Sequence, residues 1–219
     1  MTASNDAFEV LETTRSVRRK LDFDRPVERS VIERCIDAAV QAPTGMNREA
    51  WRFLVLTEEE PKAKVAALYR RGFEGLAERF SGAARETLPE SIRAQKLPSE
   101  RPTYVGLMEN LHRMPALILV CSEGRASQDT AMQVAFYGSV LPAAWSLMLA
   151  LRASGLGTTW TTLLVSEEER VAEALGIPPG ITQTVLLPIA YTKGATLRRA
   201  TRKPAREVTY WNRWGDGAE

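Results

Sequence analysis

The sequence predicts an α+β fold in which helices cover a central sheet. Helical apolar periodicity at 28–41, short β-rich segments at 51–57 and 115–121, and a long apolar segment at 128–153 alternate along the 219 residues. Hydrophobic residues make up 44% and charged residues 26%, a balance typical of a globular domain with a substantial core. The chain shows no internal repeat or low-complexity linker, which indicates a single domain over 1–219.

The first half of the chain predicts helix, loop, strand and helix in that order. Apolar spacing predicts a helix over 28–41, which Pro43 and Gly45 end. A buried strand over 51–57 and a helix over 61–71 follow. The pattern then weakens over about 72–113, a charged segment punctuated by prolines. We expect short helices and loops there, either as a lid-like insertion that carries specificity or as a solvated connector.

The second half predicts two more strands with helices between them, then an irregular tail. A core strand over 115–121 precedes a helix over 128–153, which Pro142 should bend or break. A strand over 158–162 follows, and Ser166 with Glu169 suggests a capping box for a helix that ends near Gly176. The strand over 182–191 is the last. The tail over about 204–219 carries Trp211 and Trp214 without a clear period, so we expect it to reach a second copy of the chain.

Charge and residue usage exclude several classes of function. The net charge of +2, from 29 basic and 27 acidic side chains, argues against a nucleic-acid partner, which needs a concentrated basic face. A single histidine, His112, rules out histidine-based triads and His-rich metal sites, so we expect no metal. Cys35 and Cys121 suggest no disulfide framework or zinc spacing.

The sequence also predicts a cytoplasmic protein without a membrane partner. The apolar segment 134–153 is interrupted by polar residues and Pro142, so it reads as a buried helix rather than a membrane span. Residues 1–6 lack the basic and apolar regions of a signal peptide. The two cysteines fit a reducing compartment.

Arg15, Ser16 and Arg18 form a candidate phosphate site. A phosphate monoester is nearly a dianion at neutral pH, and guanidinium groups bind it in a bidentate manner. Two alternatives remain: a basic helix C-terminus that complements the helix dipole, and a nucleic-acid patch over 15–20. Arg202 and Lys203 could contribute two further cationic side chains to the same phosphate, or they could form a solvated basic turn.

Two other segments are candidates for contact with a planar ring. The loop Pro43-Thr44-Gly45-Met46-Asn47 offers a backbone that can approach a flat ligand closely, although Pro and Gly also suit a plain helix–strand turn. The threonines at 158, 159, 161 and 162 could donate to a ring nitrogen at a strand end, although β-branched residues also simply fill strands.

These segments, in this order, resemble the nitroreductase superfamily of FMN-dependent oxidoreductases. The motifs that carry the resemblance are Arg15-Ser16-Val17-Arg18, the 42–47 loop with Trp51-Arg52-Phe53, Gly155-Leu156-Gly157-Thr158, and Arg202-Lys203-Pro204. They look like the branch that includes iodotyrosine deiodinases and flavin-fragmenting enzymes. One departure is Glu49-Ala50 before Trp51, where the family often has Gln-Pro.

The resemblance implies a mixed sheet flanked by helices and an intertwined homodimer with two FMN sites at its interface. The residues that would touch the FMN phosphate and ring edge are Arg15, Ser16, Val17, Arg18, Arg202 and Lys203. Those that would pack on the ring from the other subunit are Pro43, Thr44, Gly45 and Asn47. Those near the ring are Trp160, Thr161 and Thr162, with either threonine as a candidate hydrogen-bond donor to flavin N5. Candidate substrate contacts are Met46, Tyr69 and Tyr104.

The implied activity is that of an NAD(P)H oxidoreductase. Such an enzyme reduces nitroaromatic, quinone or similar electron-poor substrates through a ping-pong cycle. A reductive dehalogenase-like enzyme, a flavin-fragmenting enzyme and a non-catalytic flavin-binding protein are the alternatives. The sequence does not choose between NADH and NADPH, because no residue that reads the ribose can be assigned.

Overall fold

The computed structural model describes residues 7–87, 90–96 and 98–215. Its α-helices are α1 (Ala7–Thr13), α2 (Arg29–Ala39), α3 (Glu59–Arg79), α4 (Gly82–Glu86), α5 (Glu90–Arg93), α6 (Pro102–Asn110), α7 (Thr130–Ala153) and α8 (Glu168–Leu175). Its strands are β1 (Leu21–Asp22), β2 (Trp51–Leu56), β3 (Ala116–Glu123), β4 (Leu156–Thr158) and β5 (Ile181–Thr192). Short 3₁₀ helices cover Gly45–Asn47, Pro98–Glu100, Leu111–Arg113, Leu163–Glu167 and Ala205–Glu207.

The five strands form one sheet with the order β1-β5-β3-β2, and β4 pairs with β5. Ile189 pairs with Ala116 of β3 and with Thr158 of β4, so these two strands lie on opposite edges of β5. Every strand pairing in the described part of the chain is antiparallel, which corrects the expectation of a mixed sheet. The reason is that the helical connections from β2 to β3 and from β3 to β5 return the chain to the end of the sheet that it left.

Helices cover both faces of this sheet, which confirms the α+β class. Ile118 and Val120 of β3 point into a core with α2 and α7, whereas Leu117 and Leu119 point into a second core with α3 and α6. All four side chains are 2% exposed or less. The alternation follows from the two-residue period of a strand that is buried on both faces.

The long apolar helix α7 runs without a break through Pro142. Of the expected bend or break, the break is therefore wrong, because residues on both sides of the proline, such as Val140 and Ala143, are held in the same core. A bend stays a prediction. Within the described ranges, α7 is the single helix long and apolar enough to cross a membrane by length and composition, with a mean hydropathy of 1.6. Its residues Leu147 and Leu151 are fully buried against α2 and the sheet, as in a core helix.

Other element boundaries differ from the sequence expectation. Helix α3 extends to Arg79, and β1 was not predicted. The strand expected over 158–162 lies at Leu156–Thr158 instead, since β4 pairs with β5 from Tyr191 to Ile189.

The expected capping box is wrong, because the Ser166 hydroxyl donates to the Leu163 carbonyl (2.9 Å) and α8 begins only at Glu168. Gly176 does end α8 in the left-handed conformation. Two predictions fall outside the described residues. They are the absence of a signal peptide at residues 1–6 and the part of the tail at residues 216–219.

Candidate functional site

The segment Arg15–Arg18 lies directly against β4. The Val17 amide donates to the Thr158 carbonyl at 2.8 Å. A side chain on Gly157 would crowd this approach, because a Cβ there would lie 3.0 Å from a Val17 methyl group, 2.9 Å from a Leu21 methyl group and 2.8 Å from the Thr192 methyl group. The glycine thus brings the predicted phosphate segment beside the predicted ring segment at 158–162.

Three buried polar atoms at this junction have no hydrogen-bond partner within the described residues: Arg18 Nε, Thr158 Oγ1 and Thr159 Oγ1. Thr158 and Thr159 are 4% and 1% exposed. Because an unpaired buried polar atom costs free energy, such atoms indicate a place for a ligand or an ordered water. Their grouping marks the junction as the candidate site.

Tyrosines from α3 and α6 close this junction. The Arg18 guanidinium stacks over the Tyr104 ring, 4.2 Å from its centroid. The hydroxyls of Tyr69 and Thr161 form a buried hydrogen bond at 3.1 Å. Burial raises the pKa of Tyr69, so the phenol stays protonated at neutral pH. Tyr69 is only 2% exposed, so its clearest role is to orient Thr161, and its predicted contact with a substrate stays a prediction.

Thr161 and Thr162 differ in what their hydroxyls can do. Thr161 is fixed by backbone hydrogen bonds with Leu186 in both directions and by Tyr69. Thr162 is exposed, and its hydroxyl does not cap the 3₁₀ helix that it precedes. Trp160, between the threonines of this segment, packs against the α2–α7 core. Of the two candidate N5 donors, Thr162 is therefore the one whose hydroxyl has no partner among the described residues.

Arg15 is turned back towards α1. Its guanidinium donates to the carbonyls of Thr14 (2.6 Å) and Glu12 (2.9 Å), which are groups at the end of that helix. This is the alternative in which a basic residue satisfies a helix C-terminus. Ser16 is exposed beside it.

The C-terminal cations come near the same helix. Arg202 and Lys203 are exposed, and Arg202 donates to the adjacent Thr201 carbonyl at 3.1 Å. Arg199 forms a 2.6 Å ion pair with Glu12. This ion pair places the segment that leads to Arg202 beside α1, three residues before Arg15. Convergence of Arg15 and Arg202 on one anion stays a prediction.

The predicted ring-binding loop lies on α7 instead. The Gly45 amide donates to the Ser139 hydroxyl at 2.9 Å, and the Thr44 hydroxyl donates to the Arg48 carbonyl at 2.6 Å. Met46 and Asn47 both have φ near 53°, a left-handed conformation that is uncommon for residues other than glycine. Pro43 and Asn47 are exposed, and Met46 is 88% exposed. The loop thus presents its apolar tip to the outside of the chain.

Sequence reasoning missed three contributors to this site. Gly157 was identified only as part of the Gly155-Leu156-Gly157-Thr158 motif, yet it sets the approach of the N-terminal segment. Thr159 was treated as one of a run, yet its hydroxyl is buried and unpaired. Ser139 fixes the 43–47 loop through a contact 94 residues away in sequence, and no local pattern signals it.

Comparison with known proteins identifies relatives of this chain. The iodotyrosine deiodinase of Drosophila melanogaster is 29% identical over 202 residues, which are 90% of this chain and 66% of that protein's length. The iodotyrosine deiodinase of Thermotoga neapolitana is 27% identical over 184 residues, 84% of this chain and 87% of the relative. The present chain therefore spans just under two thirds of the length of the fly protein.

Solved structures share the fold. The crystal structure of oxidised iodotyrosine deiodinase bound to FMN and 3-iodo-L-tyrosine is similar with a TM-score of 0.64 at 23% identity, and the match covers 90% of this chain and 95% of the other. The sequence model of the nitroreductase family matches residues 11–191 of this chain. The chain belongs to the nitroreductase family, near its iodotyrosine deiodinase branch.

Proposed function

We propose that the protein is an FMN-dependent oxidoreductase that takes electrons from NADH or NADPH and reduces an electron-poor substrate such as a nitroaromatic or a quinone. The observation that supports this most directly is the junction of Arg15–Arg18 with Gly157–Thr162. It combines a cation, two threonine hydroxyls that no described residue pairs with, and a close backbone approach in one place.

The residues at this junction fit FMN. Arg18 Nε is a buried donor with no hydrogen-bond partner in the part of the chain that the structure describes, and an anionic or carbonyl-bearing ring edge would satisfy it. Thr158 and Thr159 offer further hydroxyls, and Thr162 supplies the exposed candidate donor for flavin N5. FMN, when bound, supplies the redox chemistry of the reaction, while the protein positions it and controls access.

The chain's own residues would orient the reacting groups. The buried Tyr69–Thr161 hydrogen bond fixes Thr161, the residue that directly precedes Thr162. Tyr104, stacked under Arg18, holds the guanidinium in one plane. These contacts pre-organise the donors, which is what a bound cofactor requires.

The experiment measures the bound cofactor first and the reaction second. The purified protein should show flavin absorption near the visible band of FMN, which NADPH or NADH bleaches without oxygen and a nitroaromatic then restores. Arg18→Ala should lose most of its FMN while keeping its far-ultraviolet circular dichroism, and Arg34→Ala, an exposed arginine on α2, should keep its FMN. Full FMN occupancy in Arg18→Ala would place the cofactor elsewhere.

Reductive dehalogenation is the second candidate function. It is favoured by the curated relatives, which are iodotyrosine deiodinases at 27–29% identity over most of this chain. Iodide release from 3-iodotyrosine by the dithionite-reduced protein measures this activity without any nicotinamide. Iodide release without nitroaromatic reduction would choose this candidate over the first.

We also propose that the chain works as a homodimer. Apolar side chains of α1 and α7 stay exposed in one chain, although they sit on neighbouring helices: Phe8 (75%), Leu11 (50%), Met132 (59%), Val134 (69%) and Trp145 (40%). Trp211 (68%) and Trp214 (89%) in the tail are exposed as well. Exposed apolar surface of this extent is typical of a protein–protein interface.

Sedimentation tests the dimer. Val134→Lys should shift the protein from dimer to monomer, because a charge would be buried in the interface. Val165→Lys, at an exposed valine of the Leu163–Glu167 3₁₀ helix, is the matched control. A wild-type protein that sediments as a monomer at micromolar concentration would contradict the proposal.

A further inference from the structure

A concavity of about 310 Å³ lies between the chain segment at residues 18–23 and helix α6. Its walls include Arg18, Arg19 and Lys20 on one side and Thr103, Gly106 and Asn110 on the other. We call it the basic groove. Its volume is at the lower end of the range for small-molecule sites, so it suits one charged part of a ligand rather than a whole cofactor.

The charge of the basic groove is positive and uncompensated. None of the described residues that line it is acidic. Asp22 and Asp24, the acids of the adjoining segment, are both engaged by Lys193, at 2.9 Å and 3.5 Å. In the part of the chain that the structure describes, Arg19 forms no ion pair, and it is exposed. Three adjacent cations without a carboxylate indicate an anionic ligand.

The start of α6 adds to this positive potential. Pro102 occupies the first turn and has no N–H, and the Tyr104 and Val105 amides donate to the Arg101 carbonyl at 2.9 Å and 3.2 Å. Among the described residues, the Thr103 amide is therefore the first-turn donor that remains available. Pro102 and Thr103 both line the groove. The Thr103 amide and the positive dipole end of this nine-residue helix therefore lie beside the same space as the cations, an arrangement that favours a phosphate group.

The basic groove shares a wall with the candidate flavin site. Arg18 lines the groove, its guanidinium stacks over Tyr104, and its buried Nε has no hydrogen-bond partner within the described ranges. The next residues, Arg19 and Lys20, both line the groove, and the Lys20 ammonium donates to the neutral Gly194 carbonyl at 3.2 Å. A molecule that reacts at the flavin site can thus extend a charged part into the groove.

We propose that the basic groove binds the ribose 2′-phosphate of NADPH and so makes NADPH rather than NADH the reductant. The inference rests on the proposed NAD(P)H oxidoreductase function. The 2′-phosphate monoester is the group that distinguishes NADPH from NADH, and a nearly dianionic monoester matches several cations with a helix N-terminus. The groove thus supplies residues that would recognise the ribose 2′-phosphate, which no sequence motif identified.

The test uses the purified full chain with its bound flavin and calorimetric titration with NADP⁺, NAD⁺ and inorganic phosphate. We expect wild-type protein to bind NADP⁺ at least about tenfold more tightly than NAD⁺. Arg19→Ala should weaken NADP⁺ binding about tenfold and leave NAD⁺ binding unchanged. Lys20→Asn, which suits the left-handed backbone at φ 56°, should act in the same direction.

Arg34→Ala is the matched control, because it removes one exposed arginine on α2 and changes the net charge equally. Equal affinity for the two dinucleotides, or an equal loss in the control, would overturn the proposal. It would also fall if inorganic phosphate bound as tightly as NADP⁺, since the groove would then be a free-phosphate site.

Two measurements test the proposed function independently of the basic groove. Flavin absorption and nitroaromatic reduction by the dithionite-reduced protein do not involve a nicotinamide. If both are present and NADP⁺ discrimination is absent, the groove assignment alone fails. If the protein binds no flavin, the proposed function fails first.

Discussion

Two glycines of α3, three residues apart, should respond in opposite ways to the same substitution. A Cβ on Gly72 would lie 2.6 Å from the Leu163 carbonyl oxygen and 3.0 Å from Ser166 Oγ. A Cβ on Gly75 would meet nothing within 4 Å. Both glycines are interior to the same 21-residue helix, so their intrinsic helix propensities cancel in a comparison.

The magnitudes follow from the identity of the atom that each Cβ meets. Overpacking a well-packed site costs about 1–3 kcal/mol, and the obstacle at Gly72 is backbone that cannot rotate away, so the upper half of that range applies. Alanine in place of glycine in a helix interior returns about 0.8–1 kcal/mol. Gly72→Ala should therefore lower the free energy of unfolding by about 1–2 kcal/mol, while Gly75→Ala should raise it by up to about 1 kcal/mol.

Thermal and urea unfolding measure both variants. For a chain of this size each kcal/mol corresponds to about 2–4 °C, so Gly72→Ala should melt about 2–8 °C below the wild type. Gly75→Ala should melt at the wild-type temperature or slightly above it. If Gly72→Ala were as stable as Gly75→Ala, the close packing of α3 on the Leu163–Glu167 segment would be refuted.

Three further predictions concern the site and the core. Gly157→Ala should lower FMN content, measured by flavin absorbance, because its Cβ would displace the N-terminal segment; normal content would refute this. Tyr69→Phe should destabilise the fold by about 1–3 kcal/mol in urea unfolding, because it leaves the buried Thr161 hydroxyl unpaired. Burial raises the pKa of Cys121 to about 12 from 9.0, so stability should fall as pH rises above 9, where the unfolded thiol ionises first. Cys121→Val should show a weaker fall, measured by urea unfolding at pH 8 and 10.

The fold could be predicted wherever periodicity was strong. The strand before Cys121 and the helix through Leu147 were identified because apolar residues dominate them. The strand β1 escaped prediction because it is two residues long and exists only through pairing with Tyr191 and Thr192. Tertiary pairing of this kind leaves no local signal.

The site could be predicted only as a set of segments. The sequence identified Arg18 and Thr161 as candidates, but not the partners they have in the fold, because these come from α6 and α3, 86 and 92 residues away. Arg15 is the clearest case in which residue type did not identify the partner of a side chain. Its guanidinium serves the end of α1, an alternative that residue type alone does not exclude.

Both close-packed glycines act on the same stretch of chain. Gly157 admits the N-terminal segment at the start of the 157–163 stretch, and Gly72 admits α3 at its end, against Leu163. The threonines between them are therefore positioned by two approaches that a Cβ on either glycine would crowd. This explains why the candidate site depends on two glycines, which have no side chain to bind a ligand. A motif of cations and hydroxyls becomes a site only where the backbone around it can come close enough to hold it.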